Sequence, residues 1–351
     1  MVKRVIYALA LMTIWSSTVA ANQIEAADEA SDASKCTVRA VQDFVKNEKV
    51  RKSFHVLEAG QYDEAYDYYV RGRYLRAFYT ALERAELNDP IAQTLVARIY
   101  VEGYAVPMNG ECAAFWFQRA AEQGEPQAQL RYGLMLFNGD FVTKDQKRAE
   151  EFIRKAAEAG VKEAQFYYGE LLLHKALQKE RELAGVSSQN IESEAMDQAL
   201  VWFLKGAALG DSEAAFAAAK ILASGTLTMP KDYDNARKLI EMAADNNNVM
   251  AQIILSQWLV QGRGGDTDFH RAFYLLSDNA IKMVVPAQIA LARLYRDGIG
   301  TTGDTVMAAA WYMVAKRAKA QAQDLETMLE GMGETQLKEA REKARRFISA
   351  H

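Results

Sequence analysis

Two cysteines, five prolines and four histidines are spread over 351 residues, and each scarcity excludes something. Cys36 and Cys112 form no Cys-x-x-Cys, which rules out a zinc knuckle or a thioredoxin-type dithiol. His55, His174, His270 and His351 are scattered, without metal-ligand spacing among themselves. So few prolines leave room for long helices. The net charge is only −4, with 42 basic against 46 acidic residues, and offers no electrostatic footprint for nucleic acid. After residue 20 no apolar run approaches the roughly 20 residues of a membrane helix. Gly262-Arg-Gly-Gly-Asp266 looks like a phosphate loop, but no Gly-Lys-Ser/Thr follows and no strand precedes it, so it reads as a turn. Paired acids such as Glu150-Glu151 fall on helix surfaces, where solvation accounts for them. The expectation is a non-enzyme with no catalytic residue, no metal and no cofactor.

What is present is the composition of a folded protein, 50% hydrophobic and 25% charged. The first twenty residues stand apart. Lys3 and Arg4 precede an apolar run from Val5 to Trp15, and small residues follow from Ser16 to Ala21. That is the layout of a secretory signal peptide over residues 1–20, with an uncleaved anchor as the alternative. The expected location is the periplasm or the outside of the cell. In such an oxidising space an even pair of cysteines makes a Cys36–Cys112 disulfide the default, and two unpaired thiols the alternative. Closing so long a loop is worth roughly 4 kcal/mol. Residues 21–50 read as a mobile or partly helical segment, acidic over 22–34.

The rest of the chain repeats. Ala92, Ala128, Ala164, Ala214, Ala251 and Ala287 recur at intervals of 36 to 37 residues, with one interval of 50. Five positions after each comes Ala97, Gly133, Gly169, Ala219, Ser256 or Ala292, and eight after comes a Tyr or Leu. Eleven after, a glycine usually ends the segment, at Gly103, Gly139, Gly225, Gly262 and Gly298. A second segment follows, with Ala113, Ala149, Ala199, Ala236, Ala272 or Ala308 and a bulky apolar residue three positions on. Offsets 0, 4, 5 and 8 share one helical face, so each unit is a helix–turn–helix. Asn109, Asp145, Asp232, Asp268 and Asp304 stand where N-caps belong, and the glycines where left-handed C-caps belong. A lone hairpin cannot bury both faces, whereas stacked hairpins share a continuous core. The expected fold class is all-α, a superhelical solenoid of helix–turn–helix repeats.

The pattern A-Q-x-x-x-G/A-x-x-Y/L-x-x-G followed by A-x-x-W-F-x-x-A-A-x-x-G resembles the Sel-one-like repeat family, a relative of tetratricopeptide repeats. It spans residues 89–318 in about six units. Residues 51–88 form a capping half-repeat, with Ala77, Ala81 and Ala85 on a helix after a Tyr-rich turn over Asp63–Arg71. The third unit departs: it lacks the eleventh-offset glycine and carries an insertion near 175–193, read as a prolonged helix and a loop. Residues 319–351 read as capping helices whose basic run, Lys338 to Arg346, is a solvated face.

On the first helices, offsets 2, 6 and 9 point away from the packing face. They bring forward Arg98, Leu130, Leu134, Phe137, Phe166, Glu170, Phe216 and Arg293 as candidate partner-binding residues. This face is apolar in the middle units, so it either packs against neighbouring hairpins or forms a groove for a partner. The resemblance implies an adaptor for protein partners, and exported members include periplasmic regulators of signalling, one type restraining a membrane sensor kinase of exopolysaccharide synthesis. Contact with the periplasmic domain of a membrane protein is open to such a molecule. The alternative is a cell-wall or carbohydrate-binding envelope protein, which a cysteine pair in every unit would favour and two cysteines do not.

Overall fold

The computed structural model describes Cys36, residues 63–182 and residues 189–349. The leader over 1–20, the segment 21–50 apart from Cys36, the start of the 51–88 half-repeat and the loop at 183–188 lie outside the described residues. Within the described residues there are sixteen helices and no strand. They fall into two compact units, one through Ala164 and the other from Gln165.

The first unit holds α1 (Glu64–Val70), α2 (Tyr74–Glu86), α3 (Pro90–Glu102), α4 (Gly110–Glu122), α5 (Pro126–Asn138) and α6 (Gln146–Glu158). The second holds most of α7 (Lys162–Glu182), then α8 (Gln189–Ala208), α9 (Ser212–Ser224), α10 (Tyr233–Asp245), α11 (Val249–Gln261), α12 (Phe269–Ile281), α13 (Val285–Asp297) and α14 (Thr305–Lys316). Two further helices, α15 (Gln323–Glu330) and α16 (Glu334–Ser349), close that unit. Within each unit consecutive helices pack on one another, the arrangement of an all-α repeat solenoid.

One expectation is corrected at once. The stretch Asp63–Arg71 is not a turn: Asp63 accepts the Tyr66 N–H at 3.1 Å and starts α1. Arg84 of α2 then bridges two cap carboxylates, Asp63 at 2.9 Å and Asp89 at 2.5 Å, and so ties the half-repeat to α3.

The boundaries elsewhere follow from local chemistry. Asn109, Asp145, Asp232, Asp268 and Asp304 each accept a backbone N–H of the helix they precede. Asp89, Glu125, Asp211 and Asn248 do the same for first helices. Each such cap contributes roughly 1 kcal/mol. Four of the expected C-cap glycines, Gly103, Gly139, Gly262 and Gly298, adopt the left-handed conformation. Gly225 departs, with ψ 168°. Its loop turns outward to meet α8, where Asp197 accepts the Thr226 hydroxyl at 2.7 Å and Ser193 Oγ accepts the Leu227 N–H at 2.8 Å. Where Lys175 replaces the glycine, α7 simply runs on to Glu182.

The small residues at offset 5 are small because the partner helix fills the space. A Cβ on Gly133 would stand 2.8 Å from Ile153 Cγ1, and one on Gly169 would stand 2.4 Å from the Phe203 ring. Gly133→Leu should therefore cost about 1–3 kcal/mol by overpacking, read as a lowered melting temperature. An unchanged melting temperature would refute this account of the offset.

The glutamine of the A-Q pair has a structural task that spacing alone did not reveal. Its amide reaches back eight residues to a carbonyl at the end of the preceding helix: Gln93 to Ala85 at 3.0 Å, Gln129 to Ala121 at 3.4 Å, Gln252 to Ala244 at 2.9 Å and Gln288 to Ala280 at 3.3 Å. Each of those carbonyls also accepts a backbone N–H from the turn after its helix, at 3.0 to 3.1 Å, so the buried amide fills the second lone pair and ties one helix end to the next helix. Asn279 extends the arrangement by donating to Gln252 Oε1 at 2.7 Å. Gln252→Leu removes two buried hydrogen bonds, the second donor of the Ala244 carbonyl and the acceptor of the Asn279 amide, and should cost about 1–3 kcal/mol in urea denaturation, with an ionised Gln252→Glu restoring only the bond from Asn279.

The last repeat would leave α14 with an open face. In the second unit, α16 covers it: Ala340 and Ala344 pack against Ala309, Ala310 and Val314, and the Phe347 ring stacks on Trp311 at 4.4 Å. Beside it, α15 is fastened by Glu326, which accepts the Tyr312 hydroxyl at 2.6 Å and pairs with Lys316 at 2.8 Å.

Candidate protein-binding face

Each unit exposes part of its first-helix face, and offset by offset it divides cleanly. Position 2 is turned into packing. Leu130 is 1% exposed and Ile253 4%, the latter within a cluster that includes Leu276 of its own hairpin and Ala287 and Leu291 of the following one. Leu130 is thus corrected from a candidate contact to a core residue: offset 2 sits at the edge of the face that the next hairpin covers. Phe216 and Phe166 are half-buried and packed on their units' cores, with Phe166 5.8 Å from the Phe203 ring. Phe137 is half-buried likewise, under Lys144 at 5.6 Å. The apolar middle of the face is mostly packing.

Position 6 is different. Arg98, Glu170, Lys220, Gln257 and Arg293 are exposed there, and Leu134 half-buried. Within each unit these exposed side chains stand where an approaching protein would meet them. In the second unit, Glu170 and Lys220 are close enough to interact; desolvation by the surrounding walls raises the Glu170 carboxyl above its ordinary range, and Lys220 pulls it part of the way back. The Lys220 ammonium also lies 5.7 Å from the Phe216 ring centre.

The two arginines are already engaged. Arg293 donates to Asp324 of α15 from Nε and Nη2, both at 2.8 Å, and Arg296 adds a third bond at 2.8 Å. That bidentate clamp holds a capping helix, so Arg293 is a fastening residue rather than an open contact. The Arg293 guanidinium, with Arg296 beside it, holds the Asp324 carboxyl well below the usual carboxylate range. A depressed carboxylate stabilises the fold above its unfolded pKa, about 3.9, and that contribution is lost as pH falls further. Both partners are about two-fifths exposed, so Asp324→Asn should cost no more than about 1 kcal/mol at neutral pH. The gap between variant and parent should close in melts run below about pH 4.

Arg98 in the first unit belongs to another constellation. Its Nε meets Glu102 at 3.1 Å while its guanidinium lies 5.0 Å above the Tyr69 ring. The Tyr69 hydroxyl donates to the same Glu102 carboxylate at 2.6 Å, and burial with that bond pushes the hydroxyl up to about 12. Around it the rings of Tyr66, Tyr74 and Tyr104 form a connected surface row. No residue of this row except Arg98 is marked by the repeat pattern. The signal that could have found it is the density of Tyr and Arg from Tyr66 to Arg76.

Cys36 and Cys112 are joined by a disulfide whose Cα atoms are 5.3 Å apart, both residues being 2% exposed. The Trp116 indole N–H donates to the Cys36 carbonyl at 3.2 Å in the same core. Among the described residues no cluster of His, Cys, Asp or Glu could hold a metal ion, and no helix is long and apolar enough to cross a membrane.

Comparison with known proteins agrees with this architecture. The Sel1 repeat model matches residues 90–125, 126–161, 193–211, 212–248, 249–277 and 285–313, over half of the chain. The matched segments leave out 162–192, where α7 is prolonged. The Sel1-repeat-containing protein YjcO of Escherichia coli K12 is 30% identical over 129 residues, 36% of this chain and 54% of that relative. The chain thus spans about half the length of the curated relative it matches. The crystal structure of a Sel1 repeat protein from Oxalobacter formigenes superposes with a TM-score of 0.58 at 26% identity, covering 75% of this chain and all of that one. A protective antigen present in uropathogenic Escherichia coli strains and displaying an SLR fold gives 0.52 at 23% identity, covering 82% and 68%. That likeness is one of fold. Repeats of this kind generally mediate protein–protein interaction. By the six matched segments, their phase and the hairpins that carry them, the chain belongs to the Sel1 repeat family.

Proposed function

We propose that this protein is a non-catalytic, protein-binding scaffold of the cell envelope that works in the periplasm or outside the cell as a regulator of a membrane sensor or envelope pathway. The observation that carries the reading is the run of six Sel1 repeats, a module whose exposed rows of side chains suit extended protein partners. The layout of residues 1–20 supports export, and a buried disulfide suits an oxidising compartment. Within each unit the exposed offset-6 side chains supply dispersed polar contacts, which fits a protein surface better than a small ligand.

The test is capture from an envelope extract by the tagged full-length chain, with bound material identified by mass spectrometry. A protein partner retained at near-equal amount, with a sensor or other membrane protein's outer domain among the products, is expected. Retention of glycan without protein would replace this reading by the carbohydrate-binding one.

A further inference from the structure

Four tyrosine rings lie in contact on the surface of the first unit where α1, the start of α2 and the loop after α3 meet. Tyr66 stacks on Tyr69 at 6.2 Å, Tyr69 meets Tyr74 edge-on at 5.5 Å, and Tyr74 meets Tyr104 at 4.8 Å. Tyr66 and Tyr104 are 51% and 61% exposed, far more than a packing role requires. Two of the rings are held in place: Tyr69 is anchored by Glu102 and roofed by Arg98, and Tyr74 is wedged between its neighbours.

The charges around the row are sorted by depth. The Arg71 and Arg98 side chains are 61% and 52% exposed, whereas their partners Asp67 and Glu102 are 21% and 23% exposed. Arg73, next to Tyr74 in the chain, is exposed too. A molecule approaching this surface meets guanidinium and phenol, while the compensating carboxylates lie underneath. That is an uncommon face on a chain of net charge −4. Tyrosine and arginine are the side chains that dominate binding hot spots, because both bring a large planar group at low entropic cost. Guanidinium groups add bidentate recognition of carboxylates.

We infer that the Tyr66–Tyr104 row and its arginines form a docking surface for an acidic, aromatic-bearing peptide segment of a partner protein. Carboxylates of the segment pair with Arg71, Arg73 and Arg98, and its aromatic side chains stack on Tyr66 and Tyr104. The inference rests on the scaffold reading above and names the chemistry of the partner.

The test uses the full-length chain and a fluorescein-labelled random copolymer of glutamate and tyrosine, with polyglutamate of equal length, polylysine and a neutral glucose hexasaccharide as comparisons. The copolymer should bind, weaken with added salt, and exceed polyglutamate by about tenfold. Arg71→Glu/Arg73→Glu and Tyr66→Ala/Tyr104→Ala should each weaken it by about tenfold or more while leaving the melting curve unchanged. Failure of the copolymer to bind the parent, equal binding by both variants, or binding of the hexasaccharide in its place would overturn the assignment. The capture experiment separates this from the wider reading. A partner retained equally by parent and variants overturns the surface and leaves the scaffold standing. Copolymer binding that depends on the row, with no protein captured by the parent, overturns the scaffold and leaves the surface.

Discussion

Trp116→Ala is expected to lower the stability of the first unit by about 3–5 kcal/mol, the range for deleting a large buried ring. Trp116 is fully buried, meets Phe115 edge-on at 5.0 Å and has the Arg119 guanidinium 5.5 Å from its ring. Its removal opens a cavity on α4 and also takes away the indole N–H that donates to the Cys36 carbonyl. Urea unfolding followed by circular dichroism measures the loss. A change under about 1 kcal/mol would mean that the neighbouring alanines collapse into the space, against the close packing inferred here. Trp116→Phe should recover most of the packing but not the hydrogen bond, leaving a deficit of about 1 kcal/mol.

Replacing both cysteines, Cys36→Ser/Cys112→Ser, is expected to cost about 4 kcal/mol. The bond closes a loop of 76 residues, and in the chain-entropy account the loss grows with the logarithm of that length. Both cysteines are buried, so reductant should reach the bond only through opening of the unit, and reduction should track unfolding in urea rather than precede it. Melting the parent with and without a phosphine reductant, alongside the variant, reads the effect. Equal midpoints for all three would refute it. The two losses share one anchor, since Cys36 is held both by its sulfur and by its carbonyl. The triple variant should therefore fall short of the summed losses by about 0.5–3 kcal/mol, which is the signature of coupled sites.

Much of the hairpin architecture was legible before any coordinates. Asn109, Asp145 and Asp304 could be placed as caps because a cap depends only on the three or four residues after it. The small offset-5 positions could be placed because a helix period relates residues on the same axis. Gly133 and Gly169 then fell where a partner helix is closest. The extension of α7 was visible in the missing glycine at Lys175.

The candidate site was read less well, for one physical reason. Periodicity says which residues share a helix face, but what covers that face depends on neighbours tens of residues away. Leu130 at offset 2 and Arg98 at offset 6 were read as one outward face, yet the first is buried and the second lies on the surface with Tyr69 and Glu102. Arg293 looked open, yet Asp324, 31 residues later, claims it. The glutamine of the A-Q pair carried no assigned role in the repeat pattern, and only the stacked helices show the carbonyl that it reaches.

The sequence by itself determined the helix–turn–helix unit, its phase, most of its caps and its family, because all of these are written in contacts a few residues apart or in a pattern copied six times. Tertiary structure alone decided which faces remain for a partner. Stacking buried Leu130 and Ile253 at offset 2, the capping helix took Arg293, and the approach of α1 to the end of α3 gathered four tyrosines from two segments into one surface. Exposure is a property of the assembled neighbours, and no spacing within a single repeat encodes it.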